Sequence, residues 1–482
     1  MEVPSPPQPS SKPKPRLDIV ASGSPESQQH GKTHSALLDR SSSSLGIRPF
    51  FKSLEWSADG TTVIASSSDD RICSYVLPQS LLEPRQAPFS LSPQGVLTLP
   101  EPSRAIAPCP YYSLGYPLTQ TVLVACKDHP IQLLSAFPDG LPEESLRQED
   151  ADDEEEEEEP TNTLPASPSA SSVSSASSSS STSSRAPSQA RRPQHQPPLA
   201  SYSLIKRETE AFLTSSSIIW QAPGTHFVAG SNNLIAYFDA SRTGEGPVSR
   251  IPTIPSTRHL LKGGGVGMKG TVSALAAQPD TSLVAAGTWT RWVGLYDLSR
   301  ADSCAIWSPC GRYLVLNERR STSLAVYDVR VTGRLLSRLV DRDADTNQCL
   351  GCDVFASPAG EGADGSIFEI WAGTRDGRVL AWDAVGGHAS DGGEERLSSH
   401  TWEWQAHGTA SAVGSTALHP GGSVLATCAG SWEVVVDESD SEDSDADGVA
   451  GRRIRRPALR TSDDTSLRIW SIGSGGDTPG QD

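Results

Sequence analysis

One short pattern recurs along the chain, and it constrains the fold more than any other feature. Each copy has an apolar run, a tight turn rich in Ser, Pro, Ala and Gly, a second apolar run, and a hairpin that closes on an aromatic residue. The turns lie at Trp56–Gly60, Trp220–Gly224, 277–280, Trp307–Gly311, 356–360 and 418–422, and the closing strands at Ile235–Asp239, Val293–Asp297, Leu324–Asp328, Val379–Asp383 and Leu467–Ser471. A repeat of about 40 residues made only of strands and turns is typical of a β-propeller. We therefore predict an all-β, seven-bladed propeller with a disordered N-terminus and low-complexity loop insertions.

Composition sets the predicted boundaries of this propeller. Segments with few apolar residues cannot bury enough surface to fold, so we expect them to be disordered. The predicted organisation is a disordered N-terminal tail at 1–34, a propeller at 35–475, an acidic and Ser-rich insertion within it at 138–211, an acidic and basic insertion in the last blade at 437–460, and a disordered tail at 476–482.

Two junctions of the ring need separate predictions. We expect a strand from around Leu37–Ile47 to complete the last blade and so to join the two ends of the chain. Only six residues separate Asp297 from the next strand at Cys304. An outer strand with its turns needs more, so either blade four lacks that strand or the sequence lacks a piece.

The net charge of −18 comes almost entirely from two segments. Glu149–Glu159 holds ten acidic residues and Asp437–Asp447 holds seven, so the rest of the chain is near neutral. A near-neutral propeller can carry a local basic patch that the total conceals. We also find no apolar run near the roughly 20 residues of a membrane helix and no secretory signal, so we expect an intracellular protein without a membrane partner.

The residue patterns do not favour an enzyme. No GxSxG turn is present, and the Gly-rich stretch Gly265–Gly270 is followed by a predicted strand rather than by the helix of a dinucleotide fold. Cys349 and Cys352 have the spacing of zinc ligands but lack a second pair, and we interpret the eight cysteines as reduced. We predict no catalytic residue, no metal, no cofactor and no small-molecule substrate.

The pairing that favours RNA is a cation beside an exposed ring, since phosphates bind cations and unpaired bases stack on rings. The hairpin Thr288–Trp292 offers this pairing, with Trp289 as the ring and Arg291 in the turn. Four other cations occupy hairpins or strand starts of other blades, and they are Lys52, Arg71, Lys127 and Arg375. The alternative is that each cation is an ordinary surface charge and that Trp289 packs within its blade.

The second acidic segment carries two further candidate sites. Its serines are predicted phosphorylation sites, because acid-directed kinases favour such surroundings, and they are Ser439, Ser441 and Ser444. The basic cluster that follows is a predicted nuclear import signal made of Arg452, Arg453, Arg455 and Arg456. The alternatives are an inert solvating loop and a basic cluster that only neutralises the acidic run.

Several stretches carry a more specific pattern than the repeat itself. They are Lys52–Gly60, Ser68–Arg71, Tyr75–Pro78, Asp128–Ile131, Glu210–Thr214, Gly287–Tyr296, Thr346–Gln348, and 418–430 with the acidic insertion after it. Together these stretches resemble the telomerase Cajal body proteins, which are WD-repeat proteins. The resemblance spans about residues 48–472 and implies a WD-repeat propeller. The long acidic and Ser-rich insertion and the short junction after blade four depart from the family pattern.

This resemblance implies a non-enzymatic nuclear scaffold. Animal members bind small Cajal-body RNAs and telomerase RNA and direct them to the Cajal body, whereas fungal relatives are linked to spliceosomal particles. The Ser-rich style of the chain favours a fungal member. The implied partners are small nuclear or Cajal-body RNA with its proteins, including telomerase. The alternatives are a splicing-associated factor in pre-mRNA splicing and a general protein–protein scaffold of the G-protein β-subunit type.

Overall fold

The computed structural model describes the chain in segments separated by gaps. They are residues 14–25, 48–141, 197–206, 208–254, 267–278, 283–297, 306–331, 334–356, 367–386, 396–435 and 458–473. Within them, the helical elements are two short 3-10 turns, at Gln79–Leu82 and Pro117–Thr119. No helix in these segments has the length and apolar character needed to span a membrane.

Strands make up nearly all of the regular structure. In chain order they are β1 Arg16–Gly23, β2 Phe51–Trp56, β3 Thr62–Ser67, β4 Arg71–Val76, β5 Phe89–Leu91, β6 Gly95–Thr98, β7 Ser103–Pro108, β8 Thr121–Cys126, β9 Ile131–Ser135, β10 Ala200–Tyr202, β11 Ser217–Trp220, β12 His226–Ser231, β13 Leu234–Asp239, β14 Ser249–Pro252, β15 Val272–Ala277, β16 Leu283–Thr288, β17 Val293–Asp297, β18 Ile306–Trp307, β19 Tyr313–Leu316, β20 Leu324–Asp328, β21 Leu335–Leu339, β22 Cys352–Ala356, β23 Phe368–Gly373, β24 Arg378–Val385, β25 Arg396–Ser398, β26 Trp402–Gln405, β27 Val413–Leu418, β28 Val424–Ala429, β29 Trp432–Val435, β30 Ala458–Thr461 and β31 Leu467–Gly473.

These strands form seven antiparallel blades and one small hairpin, which confirms the predicted seven-bladed propeller. The blades are β2-β3-β4-β6, β7-β8-β9-β10, β11-β12-β13-β14, β15-β16-β17, β18-β19-β20-β21 with β25 added, β22-β23-β24-β26, and β27-β28-β31-β1 with β5 added. The strands β29 and β30 pair only with each other. All seven blades belong to one compact unit, formed by the described residues of 1–139 and 195–482.

The first strand of each blade faces its neighbours around the ring. Thus β2 contacts β7 and β27, β11 contacts β7 and β15, β15 contacts β18, and β22 contacts β27. The apolar core lies between blades rather than at one centre. Between blades five and six, for example, Tyr313 and Val326 pack in one cluster with Phe368 and Trp382. Burying a side chain of this size stabilises the fold by about 1.5–3 kcal/mol.

The ring closes through the N-terminal strand, which corrects two predictions. β1 pairs antiparallel with β31, from Arg16 opposite Gly473 to Gly23 opposite Leu467. The prediction that residues 1–34 are disordered is therefore wrong for residues 14–25. The closing strand is also not the one predicted at 37–47, a stretch that lies outside the described residues. Leu17, Val20 and Ala21 pack against the core, and a β-bulge between Ile19 and Ala21 leaves Ile19 36% exposed. The surrounding Pro- and Ser-rich composition concealed this short strand.

Both predicted insertions are shorter than their composition suggested. β10 lies inside the predicted 138–211 insertion and pairs with β9 as the outer strand of blade two. Similarly, β30 lies partly inside the predicted 437–460 insertion and pairs with β29, from Val435 opposite Ala458 to Trp432 opposite Thr461. In each case a few residues at the end of a polar stretch form a strand because the fold brings another strand beside them. Residues 142–196 and 207 of the first insertion, residues 437–457 of the second, and the predicted tail at 476–482 lie outside the described residues.

Candidate nucleic-acid interface

The hairpins between the second and third strands of the blades lie on one face of the ring, because strands in each blade alternate in direction. We call this face the hairpin face. In blades one, two, four, five and six these hairpins are, in order, residues 68–70, 127–130, 289–292, 317–323 and 374–377. The predicted RNA-binding residues are all on or beside it. The structure thus places them on one face, but it separates them into two groups.

The first group belongs to blades one and two, and its cations are partly engaged. Burial lowers the pKa of Lys52, whose ammonium lies 3.4 Å from the Ser103 hydroxyl. Arg71 donates to the Asp69 carboxylate at 2.7 Å and to the Pro25 carbonyl at 3.0 Å. Lys127 is exposed and lies 3.6 Å from Asp128. Arg71 therefore fastens the N-terminal segment to blade one, which is a structural contact that the sequence did not predict.

The second group joins the hairpins of blades four and five. Trp289 is 61% exposed, so it does not pack within its blade. The guanidinium of Arg319 stands 5.6 Å from the centre of the Trp289 ring. Arg291 adopts a left-handed backbone conformation with φ of 64° and lies 3.8 Å from the Glu318 carboxylate. One exposed ring and two arginines therefore meet where these two blades adjoin.

Blades five and six continue this cationic surface. Arg320 lies 3.2 Å from Asp345, and Arg375 in the blade six hairpin lies 3.3 Å from Asp343. These arginines are largely exposed. Exposed ion pairs contribute little to stability, about 0–1 kcal/mol, so a phosphate can replace the carboxylate at small cost.

Arg342 lies beneath this surface and is almost completely buried, with 1% of its surface exposed. Its guanidinium donates to the side-chain oxygen of Asn317 at 2.7 Å and to the carbonyls of Gly373 and Leu350, both at 3.0 Å. Burial lowers the pKa of Arg342, yet a guanidinium stays charged in proteins. Arg342 thus joins the blade five hairpin to the loop that enters blade six.

We call Trp289, Arg291, Arg319, Arg320 and Arg375 together the arginine surface, and Arg342 is buried beneath it. The sequence predicted Trp289, Arg291 and Arg375 as candidates but missed Arg319, Arg320 and Arg342. The paired arginines of the 317–323 hairpin were a signal that could have been used. Arg342 lies in a connecting loop, and no local pattern distinguishes it. Guanidinium groups bind phosphate oxygens in a fork, and an exposed indole offers a face to an unpaired base.

Other predicted features of chemistry do not assemble into a site. Among the described residues, no group of three or more His, Cys, Asp or Glu side chains could hold a metal ion. Cys349 is exposed in a loop, and burial raises the pKa of Cys352 to about 11, so its thiol stays protonated. His419 stacks edge-on against Trp56 with ring centres 4.9 Å apart, which is a packing role. The predicted phosphorylation sites Ser439, Ser441 and Ser444 and the import candidates Arg452, Arg453, Arg455 and Arg456 lie outside the described residues.

A closed ring of seven blades built from strand-and-turn repeats defines a WD-repeat β-propeller. No protein-family model matches the chain. The chain is nevertheless a distant relative of the telomerase Cajal body proteins. It is 22% identical over 444 residues to bovine telomerase Cajal body protein 1, which covers 89% of this chain and 66% of the relative. The human protein of that name is 22% identical over 447 residues, covering 89% and 65%.

Two other relatives match a smaller part of the chain. Mouse telomerase Cajal body protein 1 is 22% identical over 396 residues, which covers 79% of this chain and 59% of the relative. The chain therefore spans less than two thirds of the length of these relatives. A fission yeast protein named guanine nucleotide-binding protein negative regulator 1 is 25% identical over 200 residues, which covers 38% of this chain and 46% of the relative.

Proposed function

We propose that this protein is a non-enzymatic nuclear scaffold that binds small nuclear or Cajal-body RNA–protein particles through the arginine surface. The observation that carries the proposal is the contact of Arg319 with the exposed ring of Trp289, flanked by Arg291. Its distant relatives named telomerase Cajal body protein 1 support the same class of partner and a location in the Cajal body.

The proposed mechanism uses two kinds of contact. Arg291, Arg319 and Arg320 hold phosphates of a single-stranded loop, and the indole of Trp289 stacks on one of its bases. A base stacked on an aromatic ring contributes about 1–3 kcal/mol to binding. The binding is therefore strongly salt-dependent, because each phosphate contact releases counterions.

The experiment that tests this function is ultraviolet crosslinking of RNA to the tagged protein in cells, followed by sequencing of the bound RNA. We expect small nuclear RNAs to be enriched. Telomerase RNA among them would favour a role in telomerase RNA trafficking and telomere maintenance, whereas spliceosomal RNAs would favour a role in pre-mRNA splicing. A crosslinked sample without enriched RNA, after nuclease-controlled purification, would contradict the proposal.

A matched pair of variants locates the interface. Arg291→Glu reverses a charge on the hairpin face, whereas Arg242→Glu reverses an exposed charge at the opposite end of blade three, in the turn between β13 and β14. We expect Arg291→Glu to lose RNA retention and Arg242→Glu to keep it, with both proteins folded. Equal RNA retention by the two variants would place the interface elsewhere.

A second candidate function is a general protein–protein scaffold. It is favoured by an exposed apolar patch on the face opposite the hairpins. Leu118 is 95% exposed and Tyr116 lies beside it, in the loop between β7 and β8. Their loop is ordered by hydrogen bonds, including the Leu114 N–H donating to Asp59 at 2.7 Å and the Gln120 amide donating to the Leu114 carbonyl. A Leu118→Asp variant that loses its co-purifying proteins but keeps its RNA would assign protein binding to this face and RNA to the other.

A further inference from the structure

A small pocket opens on the hairpin face directly over Arg342. It is shallow, with room for about one water molecule, so a larger group would lie at its mouth. Its walls are the hairpin residues 317–320 of blade five and the loop residues 348–350 that lead into blade six. The pocket therefore lies within the arginine surface, beside the hairpin whose Arg319 reaches the Trp289 ring.

The charge of Arg342 is not compensated by the protein around it. Its hydrogen bonds go only to neutral oxygens, those of Asn317, Leu350, Gly351 and Gly373. Across the described segments, no carboxylate lies within ion-pairing distance of this guanidinium. A buried charge without a counter-charge is costly, because water no longer solvates it. An anion above the pocket floor would supply the missing charge.

The guanidinium also retains a donor for such an anion. Arginine has five N–H groups, and the four bonds that Arg342 makes leave the second N–H of Nη1 unused, since Nη1 bonds only to Asn317. Two further guanidinium groups, those of Arg319 and Arg320, line the walls together with the carboxylate of Glu318, and Arg320 also lies 3.2 Å from the Asp345 carboxylate. Glu318 lies 3.8 Å from Arg291, which offsets its charge. The pocket thus carries a net positive charge, which comes from Arg342 and Arg319.

We propose that this pocket binds one phosphate group of a single-stranded RNA, with Arg319 and Arg320 contacting the phosphate oxygens and the buried charge of Arg342 attracting the group from below. The proposal rests on the function proposed above and names where one phosphate is held. Because Arg319 lines the pocket and also contacts Trp289, the base next to that phosphate is in position to stack on the ring.

Cys349 gives a direct test, because it is an exposed cysteine that lines the pocket. Its alkylation by iodoacetamide can be followed by mass spectrometry, with and without the small-RNA fraction purified from nuclei. Cys310 is half-buried at the opposite end of blade five and serves as the internal reference. We expect the RNA to slow alkylation of Cys349 several-fold and to leave Cys310 unchanged.

The outcomes separate the pocket from the proposed function. RNA that binds but leaves the alkylation of Cys349 unchanged overturns the pocket as a phosphate site and leaves RNA binding intact. An absence of RNA binding overturns the proposed function itself. Protection of Cys349 by a phosphoserine peptide, but not by RNA, overturns this proposal and assigns the pocket to a phosphoprotein.

A salt titration gives an independent measurement. Arg320→Gln removes one wall cation from an exposed position, so the fold is retained, and Arg242→Gln on the opposite face is the control. We expect the slope of log affinity against log salt to become shallower by about 0.7 for Arg320→Gln, the value for one phosphate contact on a single strand. We expect no change for Arg242→Gln. Unchanged slopes in both Arg320→Gln and Arg319→Gln overturn the proposal.

Discussion

The imidazole Nδ1 of His407 lies 3.3 Å from the carboxylate of Asp464, although the two residues are 57 positions apart in the chain. The other ring nitrogen of His407 lies 2.8 Å from the Thr427 hydroxyl, and the Trp470 indole donates to that hydroxyl at 2.9 Å. Because a carboxylate only accepts, the ring proton is on Nδ1, and Nε2 accepts from Thr427. This buried chain of hydrogen bonds joins the loop before β27 to β28 and β31 of blade seven.

Asp464→Asn is expected to destabilise the propeller. The Asp464 carboxylate accepts from His407, from the Gly408 N–H at 3.0 Å and from Arg468 at 2.8 Å. Losing its charge should lower the free energy of unfolding by about 1.5–3 kcal/mol, the range for hydrogen bonds to a charged group. Asp463→Asn is the matched control, since that neighbouring side chain is 78% exposed. Equal urea midpoints for the two variants would mean that the network does not stabilise the blade.

The same histidine predicts a pH dependence of stability. Burial lowers the pKa of His407, although its bond to Asp464 opposes the shift. The unfolded chain therefore takes up the proton more readily than the folded protein. The stability should be fully present above the unfolded pKa of about 6.5 and should fall as the pH falls below it. We expect the melting temperature to drop from pH 7.5 to pH 5.5, and to drop less in His407→Gln; an identical drop in both would assign the pH effect to other groups.

Removal of the N-terminal strand is expected to open the ring. β1 is the outer strand of blade seven, and its Ala21 is fully buried in the core cluster shared with blade one. A chain that begins at residue 26 leaves β31 without this partner, so we expect a large fall in melting temperature. A chain that begins at residue 14 keeps β1 and should melt like the full protein. Similar melting of the two shortened chains would show that β1 does not hold the ring closed.

Two glycines have nearly the same positive φ but different surroundings. Replacing each by alanine therefore distinguishes the cost of backbone strain from the cost of steric crowding. Gly377 has φ of +80°, and a Cβ there would lie 2.3 Å from the Gly408 carbonyl oxygen. Gly244 has φ of +81°, and a Cβ there would meet no atom within 4 Å. Gly244→Ala should cost about 1–2 kcal/mol for the left-handed conformation alone. Gly377→Ala should cost about 1–3 kcal/mol more, because backbone atoms must move. Equal free energies of unfolding for the two variants would contradict the close approach of the Gly377 hairpin to the loop that holds Gly408.

Trp289→Ala is expected to weaken RNA binding without affecting folding. The ring is exposed, so its removal takes little from the core. The loss in binding free energy should be about 1–3 kcal/mol for one stacked base. Tyr116→Ala, which removes an exposed ring from the opposite face, is the control. Gel-shift affinities that fall equally for both variants, or for neither, would remove Trp289 from the interface.

The local sequence pattern was sufficient to predict a candidate residue when the residues that contact it are also close to it in the chain. The Trp289–Arg291 hairpin could be found in this way, because a turn between two apolar runs specifies its own geometry. Arg342 could not, because its four acceptors lie on elements up to 31 positions away. The role of Arg71 was missed for the same reason, since its partner Pro25 belongs to a segment that its composition marked as disordered.

The sequence by itself determined that the chain is a propeller of seven blades, because each repeat carries its own alternation of apolar runs and turns. Only the tertiary structure decided how the ring closes, which arginines share a surface, and which histidine is buried against an aspartate. The physical reason is one of range: a strand and its hairpin are specified by a few consecutive residues, whereas a fourth strand, a buried charge or a pocket depends on what the rest of the chain brings beside it.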